Sequence, residues 1–286
     1  MRLLRDAPRE AGVWRCERGG PDWPTALEAL RAVPHALWLR GEPLPPRERT
    51  VAVVGSRSAT AYGRTMAERL ARDLVTHGIT VVSGLAHGID AAAHEGALAG
   101  GGRTVAVIAS GVTQPTPADH TALAERVALA GTLVSETRDG GPFGRGAFVK
   151  RNRLIAALAE VTVVVEAGEQ SGALATAAAA RALGRTVFAV PGDVDRPGSQ
   201  GTLRLLREGA RVCAQAGDVL AALPRPAVSL DPNARLRSAL SLGPQSVEAL
   251  AAAADLTPAD ALARLLRLQW SGLAVSHAGG RWTARA

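Results

Sequence analysis

Between residues 50 and 222 the chain alternates two kinds of segment at short intervals. Short apolar runs rich in Val and Ile read as strands: TVAVVG (50–55), ITVVSG (79–84), RTVAVIASG (103–111), TLVSE (132–136), VTVVVEAG (161–168) and RTVFAVPG (185–192). Between them lie segments with helical spacing, mostly stopped by Gly: YGRTMAERLARDLVTHG (62–78), AHGIDAAAHEGALAGG (86–101), HTALAERVALAG (120–131), RNRLIAALAE (151–160) and SGALATAAAARALG (171–184). A strand that is apolar along its whole length has no face for water, so it must be covered on both sides. Strands joined through helices run parallel. The pattern predicts an α/β fold: a Rossmann-like, doubly wound, mostly parallel sheet over residues 48–222.

The flanks read differently. Residues 1–47 form a Pro-rich lead-in, in which TALEALRAV suggests a short helix with Thr25 as its cap and HALWLRG a short strand. PRPAVSLDPNA (224–234) lies within a linker spanning 223–234. From 235 to 286 three helical stretches precede LAVSHAGGRWTA, two short strands around Gly-Gly, which is a hairpin signal. This predicts a small C-terminal winged-helix domain. Its Arg residues outnumber its acids six to three, and ADALARLLRLQ is its candidate recognition helix. Such a module docks into duplex DNA, docks onto a protein or has a structural role.

Composition narrows the chemistry. The formal charge is +7, and Lys150 is the single lysine among 33 basic residues, a skew of the kind Arg-favouring codon usage produces. The positive sum suits a polyanion without being specific to one. Aromatic residues are 3% of the chain, so a nucleic-acid surface here has few stacking platforms. Cys16 and Cys213 have neither metal-ligand spacing nor a disulfide framework. The first residues carry no long apolar stretch of a signal peptide, and no apolar run is long enough for a membrane span. A cytoplasmic protein without cofactor, metal or membrane contact is expected.

In a sheet of this kind ligands bind beyond the carboxyl ends of the strands, so the loops there are the candidates. Gly55, Ser56 and Arg57 follow the first strand. Gly55 permits a tight turn, the next helix offers free N–H groups to a phosphate, and Arg57 adds charge. The block is neither G-x-G-x-x-G nor a Walker A motif. In SGLAHGID (83–90), Asp90 and His94 lie one helical turn apart, either as an acid/base couple or as a lock between loop and helix. The loop RDGGPFGRGAFV (138–149) brings Arg145 and Phe148 ahead of a helix opening with Lys150, Arg151 and Arg153, the strongest local basic patch. A loop with cations and one ring suits backbone tracking and base stacking. Ser171 and Gly172 open the Ala-rich helix, with Ser171 as N-cap. Glu166 and Glu169 precede them, awkward neighbours for phosphate unless an Arg neutralises them. Gly201-Thr202 suits either a phosphate or a capped turn.

These blocks together resemble the DNA-processing protein A family (DprA, also called Smf). The likeness runs from about Trp23 to Val212, through VAVVGSRSATAYG, VVSGLAHGIDAAAH, LVSE, KRNRLIAALAE, VVVEAGEQSGALATAAAA, VFAVPGDVDRPGSQG and LLREGARV. It implies a Rossmann-like domain that binds and protects single-stranded DNA during natural transformation and recombination, and loads RecA recombinase onto it. It implies homodimers formed through that domain and, in many members, a C-terminal winged helix. It assigns the DNA pocket to Arg57 and to a basic, aromatic loop matched here by Phe148 and Lys150, with Arg151 and Arg153 in the same block. Two departures stand out. Thr116-Pro117 and His120 replace the family's Tyr-Pro and later Asn. The family's N-terminal helical domain is absent or truncated in residues 1–47.

The rival reading is an enzyme. The same broad fold resembles nucleotide-processing phosphoribohydrolases, whose PGGxGTxxE block supplies a catalytic Glu. EQSGALATA keeps Gly172 and Thr176 but not that Glu placement. Glu136, Glu166 and Asp90 remain the acid/base candidates. The non-enzymatic reading predicts binding without strong sequence preference, driven by Arg57, Lys150, Arg151 and Arg153 on phosphates and weakened by salt.

Overall fold

The computed structural model describes residues 12–141, 144–224, 232–241 and 243–284. The chain falls into two units, 1–223 and 224–286. In chain order the first contains β1 (Val13–Glu17), β2 (Ala36–Gly41), β3 (Thr50–Val54), α1 (Ala61–Thr76), β4 (Thr80–Ser83), α2 (Ile89–Ala99), β5 (Thr104–Ile108), α3 (Thr121–Ala130), β6 (Thr132–Ser135) and α4 (Arg145–Leu158). It continues with β7 (Val161–Val164), α5 (Ala173–Ala182), β8 (Thr186–Ala189), α6 (Gln200–Arg207), β9 (Arg211–Val212) and α7 (Ala216–Leu220).

The nine strands make one sheet in the order β1-β2-β6-β5-β4-β3-β7-β8-β9. The seven from β6 to β9 are parallel to their neighbours, whereas β2 pairs antiparallel with β6 and β1 with β2. The sheet is therefore doubly wound and mostly parallel. Its parallel part grows from β3 outward through β4, β5 and β6, then returns to the other side of β3 with β7. That reversal between β3 and β7 is the topological switch point, where the loops leaving two adjacent strands diverge and open a crevice.

Alternation within β3 shows how both faces are covered. Val51 and Val53 are buried against α1 and α2 residues such as Leu70, Leu74 and Ile89, while Ala52 and Val54 share the opposite core with Leu154, Ile155 and Ala177 of α4 and α5. The lead-in adds Trp23, Leu27 and Leu37 to that second core. The segment read as a helix at TALEALRAV is a 3-10 turn at Thr25–Ala29, entered from Pro24 with no side-chain cap. The N-cap position falls on Pro24, whose ring has no oxygen to accept from the turn, and Thr25 stands one residue inside it.

The basic stretch departs further from the sequence expectation. The helix reaches back to Arg145, so Phe148 and Lys150 stand on its first turns rather than on a loop. Gly144 and Gly146 had obscured that start, because glycine argues locally against helix.

The second unit contains α8 (Pro232–Leu240), β10 (Gln245–Ser246), α9 (Val247–Ala254), α10 (Pro258–Trp270), β11 (Ala274–His277) and β12 (Arg281–Ala284). β10, β12 and β11 form a small antiparallel sheet. Leu236, Leu240, Leu250, Leu265, Leu268 and Trp282 fill its core. The hairpin turns at Gly279 and Gly280, both with positive φ. Residues 225–231 of the expected linker and Arg285 lie outside the described residues.

Candidate nucleic-acid interface

A cleft of about 640 Å³ opens at the β3/β7 switch point. Its walls are the loop after β3 (Gly55, Ser56, Arg57 and Ser58), the loop after β7 (Gly168, Gln170, Ser171 and Gly172) and one side of α4 (Phe148, Arg151 and Asn152). The backbone around it is cross-tied. Ser56 N–H donates to Glu166 O at 2.7 Å, and Ile89 N–H donates to Ser56 O at 3.2 Å. The loops from β3, β4 and β7 therefore hold one another at the rim.

Of the residues singled out in the sequence, Gly55, Ser56, Arg57, Phe148, Arg151, Ser171 and Gly172 line this cleft. Lys150 and Arg153 belong to the same helix without lining it. Arg145 is the first residue of α4, and its side chain lies outside the described residues. Asn152 was missed as a lining residue; its Nδ2 donates to Gly172 O at 3.1 Å and braces α4 against the start of α5.

The cations take different roles. Arg57 is exposed, and its guanidinium carbon lies 4.9 Å from the centroid of the half-buried Phe148 ring. The ring holds the guanidinium by a cation–π contact. A flat cation so placed can take a phosphate or stack on a base. Arg151 is turned the other way and is 5% exposed. Its Nη1 donates to Gly84 O at 2.6 Å and to Val107 O. Burial lowers its pKa to about 10, with the Arg57 charge adding to the fall and the Asp90 carboxylate opposing it. Nη1 is committed to those two carbonyls and Nε is buried without a partner, so the guanidinium is enclosed by the fold rather than turned outward, a correction to its reading as a phosphate contact. A Cβ on Gly84 would stand 2.4 Å from Arg151 Nη1 and 2.5 Å from Asp90 Oδ2, so this site requires glycine.

Lys150 and Arg153 share one carboxylate. Lys150 Nζ lies 3.3 Å from Glu136 Oε1, and Arg153 Nη2 lies 2.6 Å from Glu136 Oε2. Lys150 remains largely exposed, whereas the Arg153 side chain is only 16% exposed. Of the four cations expected on phosphate, the structure therefore turns two, Arg57 and Lys150, outward.

The acid/base couple is not formed. His94 is fully buried, and its Nδ1 lies 2.8 Å from Thr104 Oγ1 rather than on Asp90. Because Thr104 Oγ1 donates to Val81 O at 2.8 Å, it accepts from His94 Nδ1–H, which fixes the neutral tautomer. Burial lowers the His94 pKa to about 3, helped by Arg151 and His120. Burial raises the Asp90 pKa, and Arg151 and the loop donors at Ala86, Ser83 and Gly84 oppose that rise. Asp90 and His94 lock loop to helix through separate partners.

Two helix starts flank the cleft. That of α1 is already occupied: Thr60 Oγ1 accepts from Gly63 N–H at 3.0 Å, and the buried Glu166 carboxylate accepts from Thr60 N–H at 3.1 Å and Thr60 Oγ1 at 2.8 Å. A carboxylate here takes the place expected for phosphate and complements the helix dipole. Glu166 thus needs no Arg to neutralise it. The start of α5 has Gly172 as N-cap and no side-chain cap; Ser171, expected as the cap, sits one residue earlier with Oγ 3.4 Å from Ala173 N. At the third candidate, Gly201 and Thr202 lie in the first turn of α6, which has no side-chain cap; Gly201 N–H donates to Ala167 O at 2.8 Å and Thr202 Oγ1 to Ser199 O at 2.9 Å, so both buried groups are taken by the fold rather than left for a phosphate.

Comparison with known proteins gives consistent matches. The family model described as DNA recombination-mediator protein A matches residues 16–224. A Mycobacterium tuberculosis protein bearing the name DNA processing protein DprA is 43% identical over 268 residues, covering 87% of this chain and 68% of the relative. The X-ray structure of DNA processing protein A from Streptococcus pneumoniae superposes with a TM-score of 0.69 at 34% identity, covering 74% of each chain. DNA processing protein A of Helicobacter pylori, whose structure concerns a single-stranded DNA binding mode, superposes with a TM-score of 0.65 at 27% identity, covering 75% of this chain and 96% of that one.

Proposed function

The chain belongs to the DNA recombination-mediator protein A family, and from that premise we propose that it binds single-stranded DNA in the β3/β7 cleft, as a handling protein rather than an enzyme. The observation that carries this reading is Arg57: exposed, at the switch point, and held over Phe148. A guanidinium fixed in this way meets phosphate or any base face, so binding has little sequence preference.

Its salt dependence follows from the outward charges. Two cations per protomer give a slope of about −1.4 in log K against log salt on a single strand, at about −0.7 per phosphate. Two protomers on one strand double that slope and raise affinity through effective concentration, which is the advantage of the homodimer we propose. The finer role we propose is protection of incoming strands and loading of RecA onto them during transformation and recombination, in the cytoplasm. The 235–286 module, read as a winged helix from its order of helices and strands, serves as a docking unit for duplex DNA or a protein.

The non-enzymatic reading is supported by what the reactive groups are doing. Glu166 caps α1, Asp90 is buried, and Glu136 binds two cations. Burial pushes the Cys16 thiol to about 11 and the Cys213 thiol to about 12, leaving neither a ready nucleophile.

The test is fluorescence anisotropy with labelled oligo-dT and a matched duplex at two salt concentrations. Wild type is expected to prefer the single strand, and Arg57→Ala to lose about tenfold or more in affinity, consistent with one stacking or charge-assisted contact. Equal, weak binding of both oligonucleotides by both proteins overturns the reading.

A further inference from the structure

Beyond the single-strand cleft, a second constellation lies where the loop after β4 meets the turn before α3. His87, Asp119 and His120 each place one ligand atom so that all three lie within 4.8 Å of one another. His87 Nε2 lies 2.8 Å from Asp119 Oδ2, and the two imidazoles stand edge to face with centroids 4.6 Å apart. Ligand atoms around a tetrahedral zinc ion are roughly 3.3 Å apart, given metal–ligand bonds of about 2.0–2.1 Å. Small side-chain rotations close the remaining difference, since the His87 and Asp119 side chains are 50% and 67% exposed.

A separate contact orients the third ligand. His120 Nδ1 lies 2.8 Å from Leu85 O. A carbonyl only accepts, so Nδ1 carries the proton and the lone pair of His120 is on Nε2. This is the outer bond by which ligating histidines are usually held. His120 is partly buried and sits on a short 3-10 turn, Ala118–His120, while His87 comes from the glycine-flanked loop that also supplies Ala86 to the cleft. The cluster joins residues 32 apart in sequence, which is why spacing rules do not reveal it.

We propose that His87, Asp119 and His120 form a site for a divalent transition metal of the zinc class, with two imidazole nitrogens, one carboxylate oxygen and an open fourth position. On binding, the metal displaces the contact between His87 Nε2 and Asp119, and His87 ligates through Nε2 as the Nδ1–H tautomer: a neutral ring moves its proton from Nε2 to Nδ1 through solvent with no net release, and an imidazolium gives its Nε2 proton to solvent. Imidazole and carboxylate ligands in this number suit zinc and its neighbours and disfavour magnesium or calcium, which take oxygen shells. The metal pins the loop after β4 to the turn before α3, so it stabilises the folded chain in a way that grows with the logarithm of free metal over its Kd.

The experiment uses the full chain stripped with chelator, then titrated calorimetrically with zinc chloride and followed by cobalt(II) absorption. Wild type is expected to take one metal per chain, with the visible bands of a low-coordinate cobalt site and a raised Tm. His120→Gln and Asp119→Asn are each expected to lose about tenfold or more in affinity and the cobalt bands, whereas His77→Gln, outside the cluster, keeps both. Asp119 is exposed, so its variant tests the site even if His120→Gln folds poorly. Equal zinc affinity in wild type and Asp119→Asn, or no one-to-one binding in wild type, overturns the proposal. Because none of these measurements involves DNA, their failure leaves the single-strand reading untouched.

Discussion

Arg57 and Arg151 are two arginines at one cleft with opposite fates. Arg57 leaves a strand end with no carbonyl cage around it, and a ring holds it at the surface. Arg151 leaves the first half of a helix facing the sheet, and two carbonyls and the nearby Asp90 charge draw it inward. Linear charge density points to the Lys150–Arg153 block as the stronger site. Geometry favours the opposite order under the proposed reading, because a cation turned outward is available to a ligand and one enclosed by the fold is not.

Changing the inward arginine is expected to have the largest effect. Arg151→Met leaves Asp90 buried without its cation and removes the clasp on Gly84 and Val107. Breaking a buried charge interaction of this kind costs about 3–5 kcal/mol. Urea denaturation should therefore show a lower midpoint, with any loss of DNA binding following from unfolding. A stable Arg151→Met protein that has lost DNA affinity breaks the comparison, since Arg151 then acts on the ligand.

The inward cluster also sets an acid limit. His94 is neutral in the folded protein down to about pH 3, whereas in the unfolded chain it titrates near 6.5. Below pH 6.5 the unfolded state binds the extra proton, so His94 makes stability fall as pH falls. The loss is about 2 kcal/mol between pH 6.5 and 4.5. Asp90 acts in the opposite direction, because its raised pKa favours the folded state as acid is added. Denaturation midpoints of wild type and His94→Leu across this range should differ in slope, the variant being the flatter. Parallel slopes mean that His94 opens to water without unfolding.

The smallest effect sharpens the outward side. Glu136→Gln keeps the shape of the residue but removes the charge that holds Lys150 and Arg153. Single-strand affinity is then expected to rise about two- to fivefold, within the worth of a partly exposed ion pair, and the salt slope to steepen. Unchanged affinity in anisotropy titrations means that neither cation reaches the strand even when released.

Much of the fold was legible because the central strands are buried on both faces and are built mainly of Val, with Thr, Ser and Ala. β1 was not. Only Cys16 of its five residues is buried, so VWRCE carries neither a continuous apolar run nor a clean alternation. That β2 pairs antiparallel with β6 depends on contacts nearly a hundred residues away, beyond local pattern. The cleft itself followed from the rule about strand ends, and Arg57 with it. The partners were hidden because Glu136 reaches α4 from β6, and Glu166 reaches α1 from β7. Glu166 reads as an acid in the way of phosphate and Glu136 as an acid/base candidate; the first is a helix cap and the second a cation clamp. Residue type gave their charge, but only topology gave its address.

The two borders of the sheet constrain how one copy meets another. Among the described residues one border is β9, just two residues long, and the other is β1, which carries Arg15 and Glu17 bonded to each other at 2.6 Å. A border so brief, or so occupied with its own ion pair, is a poor template for backbone pairing. At these two borders backbone pairing with another chain is disfavoured and side-chain shape and charge govern any contact, which can then be tuned residue by residue and undone without tearing the sheet.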